Sequence, residues 1–181
     1  MDAIEASTVV YVPPEELYAF VQDVSAASDY SEHLDRVRQY GDGGPGTDHH
    51  ITVSWWKLSI TSKTRVTDVD PPTRIDWRSV SGLDAEGSWR IDSLDAPDVP
   101  DDPPPDVDPT DATELRLRVE FDAGSVLQVS LPGPLSVEAV LSRVKPLVVS
   151  ESESVVEAMV ADLEGRRRPV DLRVHRVPRR L

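Results

Sequence analysis

Residues 59–81, SITSKTRVTDVDPPTRIDWRSVS, constrain this chain more tightly than any other stretch. In the first half Ile60, Ser62, Thr64 and Val66 alternate with Thr61, Lys63, Arg65 and Thr67. In the second half Ile75, Trp77 and Ser79 alternate with Arg74, Asp76 and Arg78. A period of two, rich in β-branched side chains, marks half-buried antiparallel strands. Pro71 and Pro72 have no N–H to give a ladder, so the connection falls there. One side of this hairpin mixes apolar bulk with small hydroxyls and carries no charge, so it needs a covering layer.

The flanking segments supply more strands and that cover. Residues 4–12 read as a first strand. Pro13-Pro14-Glu15-Glu16 then opens a helix, with proline in the first turn and glutamates against its dipole. Leu17, Phe20, Val21 and Val24 give that helix one apolar face, and residues 25–35 read as a second short helix. Strands are predicted at 36–40, 49–58, 88–94 and 113–121, with an extension at 126–131. Residues 136–144 have helical spacing, Pro146 is expected to break or restart the helix, and 146–164 is the long helix, ended by Gly165. The fold class is α+β: a curved antiparallel sheet of about six to seven strands around a long C-terminal helix, with two short helices after the first strand.

Charge divides the 181 residues into regions. There are 33 acidic and 19 basic side chains, net −14, and only three lysines, at 57, 63 and 145. Dense salt would screen the self-repulsion of such a surface, so a salt-adapted, halophilic source is expected. The body is a poor match for nucleic acid, whose phosphates need a cationic surface. Residues 95–112 hold seven aspartates, six prolines and no basic residue, and are expected to be a solvated loop inserted between two strands. The last 16 residues carry seven arginines and one aspartate, a net +6, which leaves −20 on the preceding 165. Residues 1–165 are thus read as one domain and 166–181 as a basic tail. The tail is expected to contact its own acidic body, with Val170, Leu172 and Val174 allowing a short added strand; any membrane contact would be transient. No apolar run reaches a membrane span and no signal-peptide pattern opens the chain, so a soluble, cytoplasmic protein is expected.

Several residues together resemble a family. They are Phe20-Val21-Gln22-Asp23-Val24, Tyr30, the run ITSKTRVTDVDPPTRIDW, Gly82, Gly87 and Trp89, and the strand ending Val119-Glu120-Phe121. Over residues 3–165 the chain resembles the START-like, helix-grip (SRPBCC) superfamily, in the polyketide cyclase/dehydrase and lipid-transport branch that includes coenzyme-Q-binding proteins. The resemblance implies a helix-grip fold and a small hydrophobic ligand, such as an isoprenoid quinone or lipid, between sheet and C-terminal helix. It also leaves open a cyclase/dehydrase-like enzyme. An interaction module working through the acidic loop or basic tail is a further alternative.

The residues favour binding over catalysis. Phase along the strands assigns Ile51, Val53, Trp55, Ser62, Thr64, Ile75, Trp77, Ser79, Trp89, Leu117 and Phe121 to the inner wall, closed by Val148, Val155 and Met159 of the long helix. Trp56 has the opposite phase to Trp55. No cysteine is present, no serine sits in a nucleophile elbow, and the glycines at 41–46 join two strands rather than cradling a phosphate. His49 and His50 are adjacent strand residues on opposite faces, which suits no single ion. A general base at the pocket mouth would be His33 or His49. No catalytic residue, metal or cofactor is assigned.

Overall fold

The computed structural model describes residues 2–55, 58–82, 84–96, 98–122, 125 and 137–176, with the backbone alone for Ala26, Trp55, Leu58, Ile60 and 137–150. The expected strand at 126–131 and the facing of Trp56 lie outside the described residues.

Eight strands form one antiparallel sheet in the order β2-β3-β4-β5-β6-β7-β1-β8. They are β1 (Asp2–Tyr11), β2 (Leu34–Tyr40), β3 (Asp48–Trp55), β4 (Leu58–Asp70), β5 (Arg74–Ser81), β6 (Ala85–Ser93), β7 (Ala112–Phe121) and β8 (Arg173–Arg176). The alternating run at 59–81 makes β4 and β5, turning at Pro71-Pro72, with Val66 opposite Trp77 and Val69 opposite Ile75. Register shifts beside Thr64 and after Val66 let this long hairpin bend, as bulges do. Trp89 faces Leu117 on β7, and Leu117 faces Ala6 on β1, which continues one inner face across the sheet.

Helix α1 (Pro14–Gln22) buries Leu17, Tyr18 and Val21, and helix α2 (Val137–Glu164) buries Val160. These join Val10, Val12, Val66, Ile75, Ile91 and Leu115 in one core, with Val156 and Leu163 packed on it. The core stripe of α2 is thus centred on Val160, while Val155 and Met159 are half-buried beside it.

Two expectations are corrected. The second short helix does not span 25–35: it is a 3-10 helix over Val24–Asp29, and β2 has begun by Leu34. The Asp23 carboxylate accepts the N–H and hydroxyl of Ser25, and such local bonds favour tight turns over long helix. Pro146 does not interrupt α2, which runs unbroken over 28 residues. One interior proline costs about 3 kcal/mol, a loss that turns on both sides and packing through Val156, Val160 and Leu163 offset. The α+β fold class itself stands, and the eighth strand is the short addition the tail allowed, residues 173–176 lying beside β1 as β8.

The acidic segment joins antiparallel neighbours β6 and β7, closed by the Leu94 N–H donating to Ala112 O at 2.9 Å. Asp106 lies 3.8 Å from Arg166. Arg168 donates to both carboxylate oxygens of Glu164, at 2.6 and 2.7 Å, and to the backbone oxygen of Val9. Glu164 also accepts the Tyr11 N–H at 2.9 Å. No helix is long and apolar enough to cross a membrane among the described residues.

Candidate functional site

The two faces of the sheet have opposite chemistry because each strand alternates. Outward positions carry charge in paired rows. Arg116 donates to Glu5 at 2.7 Å and to Glu114 at 2.8 Å, and Arg118 pairs with Glu120. Arg74 lies 2.7 Å from Asp68 and 3.0 Å from Asp76, while Arg65 grips Asp48 through two bonds. The Arg116 bond holds the Glu5 carboxyl below the usual range, and Arg65 does the same for Asp48. An open depression bounded by Glu5, Ser88, Arg90, Arg116 and Arg118 lies on this face. Its arginines at 116 and 118 are committed to carboxylates, so it offers little to an anion.

The inner face is apolar with hydroxyls, and its packing is uneven. Ile75 and Phe121 are buried, as is Thr64. Ile51, Ser62, Trp77, Ser79, Trp89 and Leu117 are only half-buried, and Val53 near the tip of β3 is 43% exposed. The backbone puts Trp55 at the end of β3 opposite Leu58, and Val148 within α2; both side chains lie outside the described residues. Gly87 shapes this wall. A Cβ there would come within 2.4 Å of the Trp77 ring and 2.8 Å of the Arg118 backbone oxygen. The absent side chain therefore lets the indole lie across β6.

His49 belongs to the same face. It sits opposite Thr64, two residues before Ile51, and is 8% exposed. Its Nε2 is buried with no hydrogen-bond partner among the described residues. Burial pushes the imidazole below its usual pKa, the nearby Asp48 opposing this only in part, so the ring is neutral at pH 7. Along the inner side of β3–β7 it is the one titratable side chain among the described residues. Gln39 faces it from β2 and accepts the Val24 N–H. Sequence phase had a signal for His49, which is in step with Ile51 and Val53; its burial, and Gln39 opposite it, needed the folded sheet. His33 lies elsewhere, 3.8 Å from Glu151 of α2.

The described residues thus form an antiparallel sheet whose uncharged face meets one long C-terminal helix. Residues 1–164 match the family model described as polyketide cyclase / dehydrase and lipid transport. The chain belongs to this family. No curated protein matches it. Among solved structures, the Zhui aromatase/cyclase of a Streptomyces species superposes with a TM-score of 0.63 at 20% identity, over 90% of this chain and 93% of that one. A START superfamily protein of Mycobacterium smegmatis gives 0.59 at 16% identity, over 90% and 99%. A Thermus thermophilus protein gives 0.61 at 14% identity, over 90% and 97%. These likenesses show the fold. Within the family the general kind of partner is a small hydrophobic ligand, and the uncharged inner face is the chemistry such a partner needs.

Proposed function

We propose that this member of the polyketide cyclase / dehydrase and lipid transport family carries or sequesters one small hydrophobic molecule, an isoprenoid quinone or similar lipid, between the inner sheet face and α2. The observation that carries the reading is the incomplete cover over an uncharged wall: Ile51, Trp77, Ser79, Trp89 and Leu117 stay half-buried although they face inward. Burying apolar ligand surface against them yields about 25 cal/mol per Å². His49 supplies a polar handle, since a neutral imidazole with an unpartnered, buried Nε2 is suited to a ligand carbonyl or hydroxyl. The basic tail stays on its own body in this reading, and any membrane contact serves only to exchange ligand.

His49 also favours a second reading, a cyclase-like enzyme with the imidazole as general base. Catalysis of that kind usually needs a second converging titratable group, and the described inner face offers none. Titration with decyl-ubiquinone, followed by quenching of tryptophan fluorescence, tests the carrier reading. Saturable quenching that weakens strongly in Ile51→Glu and by a smaller factor in His49→Gln supports a carrier. Quenching unchanged in Ile51→Glu contradicts it.

A further inference from the structure

Residues 30–33, between the 3-10 helix and β2, meet α2 at two points. The Tyr30 hydroxyl donates to Asp162 at 2.6 Å, and the Ser31 hydroxyl donates to Glu151 Oε2 at 2.8 Å. Glu151 and Asp162 are three helical turns apart and share one face of α2. The turn is held firmly: the His33 N–H donates to Ser31 Oγ at 3.2 Å, the Leu34 N–H to Ser31 O at 3.1 Å, and the Ser54 N–H to His33 O at 2.8 Å.

Ser31 engages one oxygen of Glu151 and leaves the other turned towards histidine. Oε1 lies 3.8 Å from His33 Nε2, beyond hydrogen-bond reach, and the ring makes no hydrogen bond among the described residues. Glu32 joins them, and one ligand atom from each of Glu32, His33 and Glu151 falls within 4.8 Å of the others. Atoms bound to one zinc ion at about 2.1 Å sit roughly 3 to 3.5 Å apart, so closing onto an ion needs only small side-chain shifts.

We propose that Glu32, His33 and Glu151 bind a divalent transition-metal ion, of which Zn²⁺ is the natural probe, and that the ion fastens the middle of α2 to the turn before β2. Clustered surface carboxylates alone would argue nothing in so acidic a chain. Two features set this cluster apart. The imidazole selects a borderline cation over Ca²⁺ or Mg²⁺, which prefer oxygen alone. The Ser31 bond fixes the carboxylate that binds, as hydrogen bonds to metal ligands ordinarily do. Three protein ligands leave a fourth position for water or a bound molecule.

The test is calorimetric titration of the chelator-treated full chain with Zn²⁺ in high salt. The expected result is one equivalent bound, weakened at least about tenfold in His33→Gln and Glu151→Gln and by a smaller factor in Ser31→Ala. Zn²⁺ should also raise the melting temperature of the wild type but not of Glu151→Gln. Ca²⁺ should do neither. Because Glu32 is exposed, Glu32→Gln keeps the fold and serves if either other variant misfolds, with the same expected loss. Binding of equal strength in the wild type and these variants, or no saturable binding at all, would overturn the proposal.

Discussion

The inner face of the sheet is two surfaces in one. Beneath α1 and the C-terminal half of α2, Val10, Leu17, Val66, Ile91, Leu115 and Val160 are sealed together, Leu17 with no exposure at all. Towards the β3–β4 tips, Ile51, Ser62 and Ser79 keep the same inward phase but stay half-open, and Val53 is exposed. The residue types differ little between the two ends. What differs is the cover, and the comparison teaches that one alternating pattern can build either a core or a binding wall. Stability should live in the first surface and ligand affinity in the second.

Leu17→Ala breaks the comparison most severely. It removes a fully buried side chain and should cost about 3 kcal/mol in urea unfolding. Ile51→Ala, of the same chemistry on the open surface, should cost well under about 1 kcal/mol while weakening ligand binding. Equal losses would dissolve the distinction between the surfaces. Gly87→Ala probes the boundary between them. Its methyl must displace the Trp77 ring or the β7 backbone, so a loss of roughly 1–3 kcal/mol with altered tryptophan emission is expected.

Removing residues 169–181 tests whether the tail is part of the body. It deletes β8 and the 2.8 Å bond between Ser7 and His175, and thermal melting should fall by a few degrees. Unchanged melting would mean that the tail is free for another partner. The smallest effect is electrostatic. The His49 pKa is lowered in the folded state, chiefly by burial, from 6.5. Its contribution to stability is therefore complete above that value and lost as pH falls through the lower folded value. Between pH 7 and 5 the wild type should lose stability with a slope that His49→Asn reduces. A slope undiminished in the variant would place the titration elsewhere.

The sheet was legible because alternation is local: two residues decide a face, as Ile75 and Trp77 show. Helix cover was legible only in outline. The apolar positions of α2 can be counted from its sequence, but Val160 at the centre of the stripe, rather than Met159, depends on how the helix is rolled against the sheet. Pro146 carries an intrinsic helix penalty that is local, whereas the packing that offsets it in the unbroken α2 is tertiary. The candidate metal ligands were beyond reach for a different reason. His33 precedes β2 and Glu151 lies on α2, so only the folded chain brings them together, with no spacing motif between them. His49 stands between these cases: its phase was readable, its unpartnered nitrogen was not.

The central claim, an apolar ligand on the open half of the inner face, meets its most direct test in native mass spectrometry of the chain purified at high salt. The account predicts the 20.0 kDa chain with one apolar adduct, recovered in organic extract and lost from Ile51→Glu. A bare chain that also takes up no quinone or lipid on incubation, or an adduct retained in full by Ile51→Glu, would contradict it.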